Sequence, residues 1–204
     1  MDGVLSDTQK IHAKVESELF RELGINIPPE EMTRRFAGMS FRTQIRTLLK
    51  EYHKTVDIDE FELEKYEKYV EELSHGILAV SGAKPLVEWL SSKHIPMAVA
   101  TTNKKKASSI VMSELGFDNF IKTVVTSEDI KKGKPAPDIF IKAAKLLQVP
   151  TSECVVIEDG ESGIIGGKQA GMKTIGFGKD MNGKGDYSAD SMDEVKEILF
   201  KIIN

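Results

Sequence analysis

The sequence predicts an α/β fold, a doubly wound parallel sheet with an all-α helical cap inserted after its first few residues. Three observations predict it. From residue 77 onward, short apolar runs alternate with helical patterns, as in a parallel sheet covered on both faces. Before that, from about Thr8 to His75, the pattern is helical and contains no convincing strand. Finally, the residues with chemical potential fall at the ends of the expected strands or just after them, where open α/β sheets bind ligands.

In the helical stretch, Ile11, Val15, Leu19 and Leu23 recur at helical spacing, and Gly24 stops the pattern. Pro28-Pro29 opens a short segment. Ser40 caps a third helix with Ile45, Leu48 and Leu49 on its apolar face. A charged helix is expected over 59–74, with Phe61, Leu63, Tyr66, Tyr69, Val70 and Leu73 as its apolar and aromatic residues. In the second texture, helices are expected over 85–92, 105–115, 137–147, 162–170 and 192–203. Pro137 suits the first turn of its helix and Asp138 its positive end. Strands are expected over 95–100, 121–125, 154–157 and 174–177, and a polar loop over 178–185. Residues 1–7 and 78–204 are thus expected to form the core, and residues 8–77 a cap able to act as a lid.

A 40% hydrophobic, 29% charged composition fits a soluble globular chain. The net charge of −4 argues against a sequence-independent grip on nucleic acid. No apolar run reaches membrane-spanning length, and no signal-peptide pattern is present, so no membrane partner is expected. The single cysteine, Cys154, excludes an internal disulfide and fits a cytoplasmic protein. Its apolar neighbours mark it as a small buried hydrophobe. A monomer or weak dimer is expected.

Four segments hold the candidate chemistry: 2–8 (Asp-Gly-Val-Leu-Ser-Asp-Thr), 100–103 (Ala-Thr-Thr-Asn), 132–138 (Lys-Gly-Lys-Pro-Ala-Pro-Asp) and 157–163 (Ile-Glu-Asp-Gly-Glu-Ser-Gly). Singly, each has a plain structural explanation: a turn at Asp2-Gly3, a capping hydroxyl at Thr101, a solvated charge at Lys134, an acidic loop at Glu158-Asp159. Together they bring a hydroxyl, a cation and acidic groups to one edge of the sheet. That set suits Mg²⁺, which takes oxygen ligands from a few carboxylates and from phosphate. It also suits a phosphoryl group, whose oxygens want donors and cations during transfer.

In order, spacing and local sequence, these segments resemble the haloacid dehalogenase superfamily, above all its phosphatase and β-phosphoglucomutase-like branch. The resemblance covers essentially the whole chain. Its most specific parts are Gly133-Lys134-Pro135-x-Pro137-Asp138 and Glu158-Asp159-x-x-x-Gly163. It implies a Rossmann-like core and a site that works with Mg²⁺ on a small phosphorylated metabolite. Asp2 is implied as general acid and base, with its backbone carbonyl on Mg²⁺. The Thr101 hydroxyl and the Thr102 amide are implied to bind phosphate, and Lys134 to neutralise it. Asp159, with Glu158, is implied to hold the metal. Asn103 lies one step further out, within reach of phosphate or substrate. Thr8 and His12 fall where the related mutases begin the lid, one helical turn apart, so both can face a cleft.

The family's first motif places its nucleophilic Asp two residues before the general acid, a position that precedes Met1. The apolar strand leading into that motif is not in the sequence either. About four buried side chains at ~1.5–3 kcal/mol each are comparable with a domain's net ~5–15 kcal/mol. The 204 residues alone are therefore expected to be chemically crippled and poorly stable, through truncation rather than drift to a pseudoenzyme. The leading expectation is hydrolysis of a small phosphomonoester, plausibly a sugar phosphate. A β-phosphoglucomutase-like isomerase is the alternative, weakened because Gly38-Met39-Ser40 is followed by Phe41, with Arg42 one place late. A non-catalytic phosphate-binding domain has only the missing nucleophile in its favour.

Overall fold

The computed structural model describes residues 1–36 and 39–203, so Gly38 of the Gly38-Met39-Ser40 element lies outside the described residues. The chain divides into two compact units, Thr8–Gly76 and Met1–Asp7 with Ile77–Asn204.

The Thr8–Gly76 unit is helical: α1 (Gln9–Glu22), α2 (Pro29–Phe36), α3 (Phe41–Glu51) and α4 (Ile58–Leu73). Side-chain caps start two of them. The Ser40 hydroxyl accepts from Thr43 N at 3.3 Å, and the Asp57 carboxylate accepts from Asp59 N and Glu60 N at 2.9 and 3.1 Å. These bonds satisfy amides that a helix start leaves without an internal partner. Val15, Leu19 and Phe20 of α1 are fully buried with Ile25, Ile45 and Leu48. The ring of Phe61 packs 5.4 Å from Phe20.

The other unit holds α5 (Ala83–Ser92), β1 (Ala98–Ala100), α6 (Lys105–Glu114), β2 (Thr123–Val125), α7 (Asp138–Leu147), β3 (Val155–Glu158), α8 (Glu161–Gln169), β4 (Lys173–Phe177), β5 (Tyr187–Ala189) and α9 (Met192–Ile203). The strands pair in parallel, as the alternating pattern requires, but in two groups: β1 with β2, and β3 with β4 and β5. Helices cover both faces. Val156 packs with Phe140 and Ala144 of α7, whereas Val155 and Ile157 pack with Leu86 of α5 and Leu199 of α9. That opposite orientation of successive side chains is the strand period of two.

Several boundaries differ from the sequence expectation. The strand expected from Ile95 begins at Ala98, beyond Pro96, which lacks a ladder donor. Cys154 precedes β3 and is half-buried rather than buried; its thiol donates to Pro150 O at 3.4 Å. Burial pushes that thiol's pKa up, so it is no activated nucleophile. β5 was not expected at all. Three residues carry no readable period, and the strand is placed by its pairing to β4 and by Asp186, which accepts from Thr174 N and Oγ1 at 2.8 and 2.9 Å.

The seat of α8 on the sheet depends on Gly167. A Cβ there would lie 2.9 Å from Thr174 Cγ2 and 3.2 Å from Val156 Cγ2. Alanine gains about 1 kcal/mol over glycine in helix propensity, but overpacking costs about 1–3 kcal/mol. Gly167→Ala should therefore lower the urea midpoint of the chain. A raised midpoint would show that α8 can lift away without cost.

Candidate active site

Residues 1–6 fold into a tight turn. Met1 O accepts the amides of Val4, Leu5 and Ser6 at 3.2, 2.7 and 3.2 Å, and Gly3 N donates to Ser6 O at 2.8 Å. The turn presents the Asp2 carboxylate to the loop after β1. There Asn103 Nδ2 donates to Asp2 Oδ1 and Oδ2 at 3.2 and 3.1 Å. The Thr101 hydroxyl stands 3.5 Å from Asp2 Oδ2, at the limit of a hydrogen bond. Thr101 is buried, anchored by its own amide to Val125 O of β2 at 2.9 Å, and its hydroxyl accepts from Asn103 N at 3.1 Å. Asn103 thus reads both the acid and the hydroxyl.

Lys134 precedes α7. Its ammonium donates to Ala100 O at 3.3 Å, pairs with Glu158 and lies 5.0 Å from the centre of the Phe140 ring. The two paired side chains are only 9% and 10% exposed, so this is a buried ion pair. Glu158 is gripped from the other side by α8: a Cβ on Gly163 would fall 2.3 Å from the Glu158 carboxyl carbon.

Asp159 completes the cluster. Gly3 has φ +68°, and a Cβ on it would fall 1.8 Å from Asp159 Oδ2. Only glycine tolerates both that backbone and that contact. Burial pushes the Asp159 carboxyl up from its ordinary value, the charge of Glu158 pushes the same way, and Asp2 adds to it. Asp2 and Asp159 offer hard oxygen donors whose mutual repulsion a dication would relieve, so the residues present fit Mg²⁺. Glu158, turned to Lys134, fits a supporting place behind them. Among the described residues no three His, Cys, Asp or Glu side chains gather into a metal site by themselves. A dication held here would complete its shell with backbone, phosphate or water oxygens, as Mg²⁺ commonly does.

The structure thus brings Asp2, Thr101, Asn103, Lys134, Glu158 and Asp159 together. Thr102 is exposed on the same loop. Thr8 and His12 belong to the helical unit, where Thr8 is buried. His12 stacks on Tyr69 with ring centres 4.0 Å apart, and its Nδ1 lies 3.0 Å from Lys65 Nζ. Lys65 also pairs with buried Glu16 at 3.2 Å. Burial raises the Glu16 carboxyl, against the pull of Lys65. Sequence reasoning missed this second polar cluster. Its signal was two pairs at i, i+4, His12 with Glu16 and Lys65 with Tyr69. Also missed were Gly3 and Gly163 as contact surfaces for the two carboxylates; only the Asp-Gly and Ser-Gly pairs hinted at them.

With fold and site in view, the chain matches the haloacid dehalogenase-like hydrolase family over residues 1–177 and belongs to it. Its relatives within that family include several phosphatases. It is 30% identical to a fructose-1-phosphate phosphatase of Escherichia coli over 177 residues, 86% of this chain and 92% of that one. It is likewise 30% identical to a 6-phosphogluconate phosphatase of Escherichia coli, across 90% of this chain and 82% of that one. A bifunctional riboflavin kinase/FMN phosphatase of Arabidopsis thaliana is 28% identical, but the chain spans only 46% of its length. In fold, the chain superposes on a beta-phosphoglucomutase-like structure from Thermotoga maritima with a TM-score of 0.79, at 24% identity, covering 98% of this chain and 96% of that one.

The buried pair gives a stability test. Lys134→Met leaves Glu158 uncompensated and should cost about 3–5 kcal/mol in urea unfolding. Replacing both, Lys134→Met with Glu158→Leu, should recover most of that loss. Additive losses in the double variant would show that the two side chains are not coupled.

Proposed function

We propose that this chain is the body of a Mg²⁺-dependent phosphatase acting on a small phosphorylated metabolite, with sugar phosphates the favoured class. The observation that carries the reading is the convergence of Asp2, Thr101, Asn103, Lys134 and Asp159 at the ends of β1 and β3. The substrate class is supported by the fructose-1-phosphate and 6-phosphogluconate phosphatases among the relatives.

In this reading the Thr101 hydroxyl, the Thr102 amide and the Lys134 ammonium hold the oxygens of the phosphoryl group. Bound Mg²⁺ would neutralise further charge there. The attacking carboxylate belongs to an Asp that precedes Met1. Its oxygen bonds to phosphorus as the ester bond breaks, and Asp2 gives its proton to the departing alkoxide. Water then attacks the aspartyl phosphate and loses its proton to Asp2, which releases phosphate and restores the carboxylate. Asn103 holds Asp2 at its post throughout. Residues 8–77 serve as the cap; Thr8 and His12, expected at the substrate, lie within that unit, where Thr8 is fully buried and His12 stacks on Tyr69. The mutase alternative is weakened further because the guanidinium of Arg42 pairs with Asp59 and Glu62. The absence among the described residues of any helix long and apolar enough to cross a membrane is compatible with a cytoplasmic enzyme.

Two outcomes are expected. Asp159→Asn should weaken Mg²⁺ binding at least tenfold, about 1.4 kcal/mol or more, by calorimetry; unchanged affinity would remove Asp159 from the metal. The 204 residues alone should hydrolyse an aryl phosphate on the order of a million-fold more slowly than a chain extended by an apolar strand ending in Asp before Met1. Equal rates from two folded proteins would show that the nucleophile lies elsewhere.

A further inference from the structure

The loop between β4 and β5 holds Asn182-Gly183, the chain's one asparagine followed by glycine. Asparagine is a thermolabile side chain. Its amide carbon is one ring closure away from the next residue's backbone nitrogen, and a glycine there adds no side chain to crowd the approach. Both residues are exposed, and a Cβ on Gly183 would meet nothing within 4 Å, so water reaches the pair.

Two bonds oppose that closure. Residues 181–184 form a type II turn: Asn182 has φ −57° and ψ 124°, Gly183 has φ +76°, and Lys184 N donates to Met181 O at 3.1 Å. The nitrogen that would attack is itself occupied, since Gly183 N donates to Ser188 Oγ at 3.0 Å. Ser188 is fixed by β5, where it pairs with Gly176 of β4. Its hydroxyl reaches back across the loop to the one amide whose freedom decides the chemistry.

We propose that Asn182 is a deamidation site and that Ser188 is its latch. Once Gly183 N leaves Ser188 and loses its proton to solvent, it attacks Asn182 Cγ. The new N–Cγ bond closes a five-membered imide. The bond from Cγ to the side-chain nitrogen breaks, and that nitrogen takes up a proton and departs as ammonia. Water then opens the imide at either carbonyl, giving aspartate or isoaspartate. The sum is one water consumed and one ammonia released, with no oxidant, reductant or metal. Either product adds a negative charge to the loop close to Lys184, which pairs with Glu161 at the start of α8. Isoaspartate also lengthens the backbone by one carbon, which the turn over 181–184 cannot keep. The inference is independent of the phosphatase reading.

The test follows the whole chain under physiological conditions by mass spectrometry of the tryptic peptide 180–184, with isoaspartate counted by enzymatic methylation. Asn182 should convert ahead of Asn26, Asn103 and Asn119. Ser188→Ala should convert roughly two- to tenfold faster, the factor that one net hydrogen bond is worth. Ser188→Thr, which keeps the hydroxyl, should match the wild type, and Asn182→Gln should not convert over the same period. Hydrogen exchange at 173–177 and 187–189 is measured alongside, so that a faster rate counts only where β4 and β5 keep their protection. If Ser188→Ala loosens those strands, the folded wild type against the same chain in urea decides, and the unfolded chain should be the faster. Equal rates in the wild type and a folded Ser188→Ala, or in folded and unfolded wild type, would overturn the latch. Earlier conversion of another asparagine would overturn the site.

Discussion

The ammonium of Lys134 joins the two halves of the divided sheet. It donates to the last carbonyl of β1 and pairs with the last residue of β3, while the Phe140 ring lies against it from α7. A buried ion pair is weak evidence for stability in itself, since desolvation offsets much of the attraction. Its value here is positional. It draws two strand ends that share no ladder to one point, and the loops that follow those ends carry Thr101, Asn103 and Asp159. The chemistry of the site therefore depends on a contact that is also structural, and a change at Lys134 alters both.

Around that pair, the two glycines allow an approach no other residue permits. Gly3 lets the first turn close onto Asp159, and Gly163 lets α8 close onto Glu158. The result is a compact negative cluster next to one buried cation. Asp159 is held above its ordinary carboxyl range by burial and by Glu158. In the proposed function, a dication and a phosphate bound at this cluster would each lower the cost of bringing in the other.

Much of this was legible in the sequence. Ser40 capping α3, Gly24 after α1 and the apolar stripe of α7 announced their helices, because capping and the 3.6-residue period leave strong local signals. The convergence of Asp2, Thr101, Asn103, Lys134, Glu158 and Asp159 was foreshadowed by the four loop segments, because strand ends in an α/β sheet share one edge. What was not legible is non-local. β5 is only three residues long and owes its place to β4 and Asp186. The division of the sheet depends on which strands find neighbours, which no local pattern encodes. The role of Gly3 depends on a residue 156 positions away in the chain. The polar cluster of Glu16, His12, Lys65 and Tyr69 was hidden because Glu16 and Lys65 each read singly as part of a solvated helix face, while His12 was expected at a cleft and Tyr69 read as part of an apolar pattern.

The central claim is that Asp2 and Asp159 form one oxygen-donor site at the end of the divided sheet. Manganese, a hard cation with the same ligand preference as magnesium, locates it directly by anomalous scattering from crystals soaked in Mn²⁺. The account predicts one strong peak within bonding distance of an Asp159 carboxylate oxygen and of the Asp2 backbone carbonyl, with Glu158 remaining on Lys134. A peak bound by Glu158 with Lys134 displaced, or no peak near Asp159 at saturating Mn²⁺, would contradict it.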